Sequence, residues 1–344
     1  MLRLPAFAYA APESIDGVLA ALAERPGRAR LLAGGTDLLP NLKHGIEEAD
    51  VVVSLQHVPE LSGVRELKDG ALELGAMLTL EALAGEARVA RRYPSLARAA
   101  GLVAGPHHRR MGTLGGNVCL NTRCVYINQT YFWRSALGYC LKKDGDVCHV
   151  VKGGKRCVAA ASNDTAPVLM TLGARLVIQS AARGRREVGV ADFFVKDGIY
   201  NKALQPDELL THVIVPPPQP GLHSAYAKLR PRDSIDFPRL GVAVAFVVRG
   251  GEGAAALSGE AVVSDLRVAV TALAAVPQAL RRVGEIAEGK VPGDELWAAV
   301  AAEAHGQCHP LTNIDGDPAW RREMVTVFTR RALREALERG ASRD

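Results

Sequence analysis

Ala33-Gly34-Gly35-Thr36-Asp37-Leu38-Leu39 places a glycine pair where a predicted strand over residues 29–33 ends and a short helical segment begins. Such a turn offers backbone N–H groups with no side chain in the way, which suits a pyrophosphate, although a plain tight turn uses the same residues. Thr113-Leu114-Gly115-Gly116-Asn117 repeats the arrangement further along. Two strand-end glycine turns in one domain favour a bound cofactor over two idle turns. Neither turn is a G-x-G-x-x-G opening a helix in a βαβ unit with an acidic residue about twenty positions on, and no G-x-x-x-x-G-K-[ST] occurs. NAD(P) and ATP folds are therefore disfavoured, and FAD on a different architecture is the natural candidate.

Outward from these turns, Ser14 is predicted to cap a helix over 15–24 with Val18, Leu19 and Leu22 on one face, stopped by Pro26-Gly27. Strands are expected over 51–55 and 71–77, then a Thr79-capped helix over 80–84 and a helical stretch over 94–103 that leads to the second turn. Regular structure resumes with a helix over 165–172 ending at Gly173. A hairpin then pairs 175–180 with 187–190 around Arg183-Gly184. Pro216-Pro217-Pro218 marks a boundary. Beyond it, strands are expected over 225–230, 242–249 and 265–272, the last two joined by a Gly-rich turn, followed by helices over 278–285, 294–304 and 320–337. The reading is α+β, with a first domain over 1–216 and a smaller one over 219–338 built from a three-stranded antiparallel sheet and helices.

From about 118 to 158 the periodicity collapses, and Cys124, Cys140, Cys148 and Cys157 appear there with Tyr131-Phe132-Trp133 and several lysines. A loop that long inside a compact domain is functional or disordered. Four thiolates from one irregular segment can close on a tetrahedral zinc or on a 4Fe-4S cluster. The spacing C-x(15)-C-x(7)-C-x(8)-C has no zinc knuckle, and on its own it leaves iron-sulfur, zinc and no metal open. A neighbouring flavin favours iron-sulfur, because a flavin trades electron pairs for single electrons only with a one-electron partner at hand. Cys119 and Cys308 read as small buried hydrophobes, and His107, His108 and His149 as ordinary polar residues. The loop carries Arg134, Lys142, Lys143, Lys152, Lys155 and Arg156 against Asp144 and Asp146, a surplus of about +4 that would suit an acidic redox partner.

At 344 residues with 48% hydrophobic composition, the chain can bury the cores of two domains. No run of about twenty apolar residues and no signal-peptide pattern occurs, which points to a cytoplasmic protein without a membrane role. The formal charge of +5 is spread along the chain without a basic-aromatic stripe, which argues against nucleic acid. No G-x-S-x-G or H-E-x-x-H occurs, so there is no catalytic residue to name and no hint of hydrolysis.

Ala33-Gly34-Gly35-Thr36-Asp37-Leu38, Gly112-Thr113-Leu114-Gly115-Gly116-Asn117 and Ser162-Asn163-Asp164-Thr165-Ala166-Pro167 resemble, in this order, the FAD-binding segments of the xanthine dehydrogenase and carbon monoxide dehydrogenase flavoproteins. Tyr226-Ala227-Lys228-Leu229-Arg230 and Asp236-Phe237-Pro238 extend the resemblance into the second domain. It implies a PCMH-type fold of two α+β subdomains cradling FAD, followed by a smaller sheet-and-helix domain. It also implies the glycine segments on the pyrophosphate, with Asp164 and Lys228 as polar contacts to the flavin. The cysteine segment, Asn121-Thr122-Arg123-Cys124 through Cys140 to Cys148-His149, resembles the loop of one branch of that family, the 4-hydroxybenzoyl-CoA reductases, and implies a 4Fe-4S cluster on the four cysteines. The partners so implied are a molybdopterin-binding large subunit, a small subunit with two 2Fe-2S clusters, and ferredoxin as donor. The alternative is the flavin subunit of another hydroxylase of the family, with a different substrate and the opposite electron flow.

Overall fold

The computed structural model describes residues 2–250 and 261–341. Ser14 accepts a hydrogen bond from Gly17 N at 3.2 Å, and the helix Ile15–Glu24 that it caps buries Val18, Leu19 and Leu22. This helix makes the crossover between parallel strands. It links β1 (Ala8–Ala10) to β2 (Ala29–Leu32), and with β3 (Val51–Ser54) they form a parallel sheet in the order β1-β3-β2.

The second subdomain is an antiparallel sheet of β4 (Val64–Glu66), β5 (Leu72–Gly75), β6 (Arg175–Ser180), β7 (Gly184–Gly189) and β8 (Glu208–Val215), in the order β4-β5-β8-β6-β7. The central strand β8 is missing from the sequence expectation. Its apolar stretches Leu209-Leu210 and Val213-Ile214-Val215, split by Thr211-His212, lack the alternation of a half-buried strand, and it is recognisable only through its pairing with β5 and β6. Helices Leu80–Gly85, Pro94–Gly101 and Thr165–Thr171 cover the sheet with Leu80, Leu83, Leu96, Ala99, Val168 and Leu169, all buried. Each fully buried leucine contributes roughly 1.5–3 kcal/mol relative to exposure.

The C-terminal sheet contains β9 (Leu222–Leu229), β10 (Leu240–Arg249), β11 (Val262–Thr271) and β12 (Gln278–Ala279), antiparallel in the order β12-β11-β10-β9. The expected three-stranded sheet thus has four strands. Residues 278–279, expected to open a helix, pair with β11, and the helix starts only at Val283 because Arg282 takes a left-handed backbone with φ 60°. The Gly-rich turn expected between β10 and β11 lies outside the described residues. Helices Asp294–Gln307 and Pro318–Ala341 cover this sheet, with Trp297 against Phe246 at 5.4 Å between ring centroids. Arg321 is wholly buried, donating to the carbonyls of Arg239, Leu311 and Ala272, and burial pulls its pKa down to about 10. Among the described residues no helix is long and apolar enough to cross a membrane.

The cysteine segment is an excursion closed at its neck. Arg123 and Ala160 exchange two backbone hydrogen bonds of 2.7 Å, and the segment between them leaves and returns through that bridge. It is not all irregular. Thr130 caps a helix over Tyr131–Leu137, and Gly138, at φ 83°, ends it.

Candidate functional site

A cleft of about 560 Å³ opens between the two N-terminal subdomains and reaches the C-terminal domain at Asp236 and Phe237. Ala33, Gly34, Gly35, Thr36, Asp37 and Leu38 all line it. Among the described residues, the backbone N–H groups of Gly34, Gly35, Thr36, Asp37 and Leu38 donate to no protein acceptor, so five successive donors at the cleft wall are left to water or an incoming group. Such a run of amides is an anion cradle. Its glycines are dictated by geometry. A Cβ on Gly34 would collide with the carbonyl oxygen of Met111, and Gly35 has φ 72°. A side chain at 35 would meet Leu39 and Leu32 at 3.1 and 3.2 Å. Substitution there would strain the backbone as well as press on these two leucines.

The second turn differs. Leu114 N donates to Leu78 O at 2.9 Å, Gly115 N to Ala76 O at 2.8 Å, Gly116 N to Thr113 Oγ1 at 3.1 Å and Asn117 N to Thr113 O at 2.9 Å. Its amides are committed to the fold. Thr113, Gly116 and Asn117 line the cleft, while Leu114 and Gly115 lie buried behind it. The Asn117 side chain accepts from Thr165 N at 3.0 Å and from Thr165 Oγ1 at 2.6 Å. Of the two turns expected to cradle a pyrophosphate, the first leaves its amides without protein partners among the described residues and the second spends those of 114–117 on the fold.

Asp164 lines the cleft and accepts from Tyr226 OH at 2.8 Å and Lys228 Nζ at 3.1 Å. Burial pushes its carboxyl above the ordinary aspartate range, against the pull of the Lys228 ammonium. Lys228, expected as a direct flavin contact, stands behind Asp164 and also donates to Leu102 O at 2.9 Å, which ties the C-terminal sheet to the first domain.

Cys124, Cys140, Cys148 and Cys157 line a single small cavity with Lys142 and His149 among its other walls. Burial and then the three neighbouring thiols drive Cys124 up to about 11, partly offset by a backbone hydrogen bond from Tyr126. Cys157 is raised likewise by burial, relieved by the Ala159 backbone and by Lys142. Thiolates gathered here need positive charge among them, and backbone donors to sulfur are what cluster sites use to tune potential. Among the described residues no trio of His, Cys, Asp or Glu side chains is arranged to hold a single metal ion; the thiols stand around a cavity instead.

The excursion is bound to the cleft. Arg123 pairs with Asp37 of the first glycine turn and lies 4.1 Å over the Phe237 ring, and the buried Arg134 donates to the carbonyls of His44 and Gly45. Lys142 Nζ donates to Asn121 Oδ1 at 2.9 Å and Gly198 O at 2.7 Å, and burial lowers its pKa to about 8. Lys143 pairs with Glu48 at 2.6 Å. The expected surface of about +4 is thereby corrected. Arg134 and Lys142 face inward partners, Lys143 pairs with the exposed Glu48 and Asp144, and Lys152, Lys155 and Arg156 are the exposed bases, against exposed Asp144 and Asp146.

Cys119 borders the cleft beside Lys202, and Cys308 sits in the C-terminal core. His108 lines the cleft. Arg239 pairs with Asp315 at a neighbouring groove that Cys124, Ser162 and Phe237 also line. Sequence reasoning misses Glu47, Tyr200 and Lys202, all cleft residues from loops without motifs.

The model of the FAD binding domain in molybdopterin dehydrogenase matches residues 5–218, and that of the CO dehydrogenase flavoprotein C-terminal domain matches residues 224–336. The carbon monoxide dehydrogenase medium chain of Hydrogenophaga pseudoflava is 30% identical over 339 residues, 98% of this chain and 99% of the relative. The xanthine dehydrogenase FAD-binding subunit of Escherichia coli O157:H7 is 26% identical, covering 92% of this chain and 91% of its own. Among solved structures, a carbon monoxide dehydrogenase from Hydrogenophaga pseudoflava superimposes with a TM-score of 0.79 at 27% identity, over 98% of this chain and 100% of that one. With both domain models matched in order and relatives aligned over nearly their whole length, the chain belongs to the FAD-binding medium subunits of the xanthine dehydrogenase and carbon monoxide dehydrogenase family of molybdenum hydroxylases.

Proposed function

We propose that this chain is an electron-transfer subunit carrying FAD in the cleft and a 4Fe-4S cluster on Cys124, Cys140, Cys148 and Cys157. The observation that supports it most is the junction of the two sites. Asn121 lines the cleft and Cys124 lines the thiol cavity, so Asn121-Thr122-Arg123-Cys124 runs from one to the other within four residues. Bound FAD supplies the exchange between paired and single electrons. The chain's own residues do the rest. The amides of 34–38 take the pyrophosphate, Asp164 gives the cleft a buried acceptor held by Lys228 and Tyr226, and Lys142 fastens the thiol loop to the cleft wall.

In this reading residues 1–216 form the FAD domain and 219–338 the flavoprotein C-terminal domain, and the partners are a molybdopterin-binding large subunit and a small subunit with 2Fe-2S clusters. The four-cysteine excursion favours the reductive branch, in which a cytoplasmic complex takes electrons from ferredoxin and removes the phenolic hydroxyl of 4-hydroxybenzoyl-CoA. Purified without oxygen, the chain should hold FAD and about four irons, the content of one 4Fe-4S cluster. Cys148→Ser should lose the iron and keep the flavin. Flavin without iron in the parent protein would remove the cluster and leave an ordinary medium subunit.

A further inference from the structure

Lys202 follows Asn201 on the loop between Phe193 and β8, and its side chain lines the cleft at 9% exposure. Among the described residues its ammonium has a single hydrogen-bond acceptor, the neutral Asn201 Oδ1 at 3.2 Å, and it lies 5.0 Å over the Tyr200 ring. The nearby carboxylates are engaged elsewhere: Glu47 with Arg30 at 3.2 Å and with Asn121 at 2.8 Å, Asp37 with Arg123. A desolvated ammonium with two unused N–H groups is costly unless the cleft's occupant brings negative charge to it. The pyrophosphate is served by the amides of 34–38. Lys202 stands by Cys119, which caps the C-terminal end of the helix Leu114–Val118, and within electrostatic reach of Glu47 and Asp37. On the same wall are Asn121 and Ile199, whose Oδ1 and preceding carbonyl are the acceptors Lys142 uses to hold the thiol loop. In the FAD reading, with the pyrophosphate on the amides of 34–38, the flavin ring would lie along this wall beside the cysteine excursion.

We propose that Lys202 is the counter-charge of the flavin ring, its ammonium facing the N1–C2=O edge. Two electrons and one proton convert the neutral ring to a monoanion whose charge lies at that edge. Lys202 stabilises this form over the oxidised one and so raises the flavin's midpoint potential. The inference rests on the FAD reading of the cleft.

The test uses the full chain loaded with FAD and compares the parent with Lys202→Met and Lys202→Arg. The two measurements are a dithionite titration against reference dyes and the dissociation constant of the sulfite adduct, whose formation places the same charge on the ring. Lys202→Met should keep its FAD, bind sulfite at least tenfold more weakly and titrate at least about 30 mV lower, the equivalent of tenfold for a two-electron couple. Lys202→Arg, which keeps the charge, should recover most of both effects. Unchanged potential and sulfite affinity in flavin-loaded Lys202→Met would overturn the proposal. So would equal weakening of ADP and FAD binding, which would assign the ammonium to the pyrophosphate. Failure of the parent chain to take up FAD would instead overturn the cofactor reading itself.

Discussion

The turns at Gly34-Gly35 and Gly115-Gly116 border the same cleft, and both put two glycines after a strand or extended segment, yet their backbones are used in opposite ways. At the first, five successive residues line the cleft with amides that have no protein partner among the described residues. At the second, the amides of 114–117 are each taken by a carbonyl or hydroxyl of the surrounding fold. Glycine serves access in one case and close packing in the other: a Cβ on Gly115 would press against Ala76 at 2.7 Å. The two are also in contact, since Gly34 lies directly against the Met111 carbonyl just ahead of the second turn. The packing turn is the floor on which the binding turn rests.

Substitutions separate these roles. Gly34→Ala should have the largest effect on FAD binding, because the methyl group must displace either its own turn or the Met111 peptide, and each shift disorders the 34–38 amides. FAD affinity measured by fluorescence recovery should fall by at least about a hundredfold, close to 3 kcal/mol. Breaking the support behind the cleft should act on stability more than on binding. Lys228→Met leaves the Asp164 carboxylate buried without its cation, and loss of one partner of such a pair costs about 3–5 kcal/mol, readable as a lower denaturation midpoint. Gly115→Ala should cost about 1–3 kcal/mol of stability through overpacking, with FAD affinity of the folded protein nearly unchanged. If Gly115→Ala removed flavin as thoroughly as Gly34→Ala, the division between the turns would be lost.

Much of this arrangement is legible in local sequence, where the cause is local. Ser14 and Thr79 announce their helices because a cap is a contact within one turn, and the first glycine pair announces a bare backbone. Two of the four amide partners of the second turn, Leu78 and Ala76, are remote in sequence, so its different fate is not visible in a motif that looks the same. β8 is hidden for a similar reason: its neighbours on both sides come from distant segments. The basic residues of the excursion mislead because charge counts carry no direction. Arg134 and Lys142 find carbonyl oxygens at the cleft side, not solvent. Lys202 has no motif at all and is marked only by its burial and its shortage of acceptors.

Amide hydrogen exchange with and without FAD tests the central claim most directly, because it reads the backbone groups themselves. Residues 34–38 should exchange rapidly in the flavin-free chain and become strongly protected when FAD binds, while 114–117 should be protected in both states. Equal protection of both turns without flavin, or no gain at 34–38 on its addition, would contradict the account.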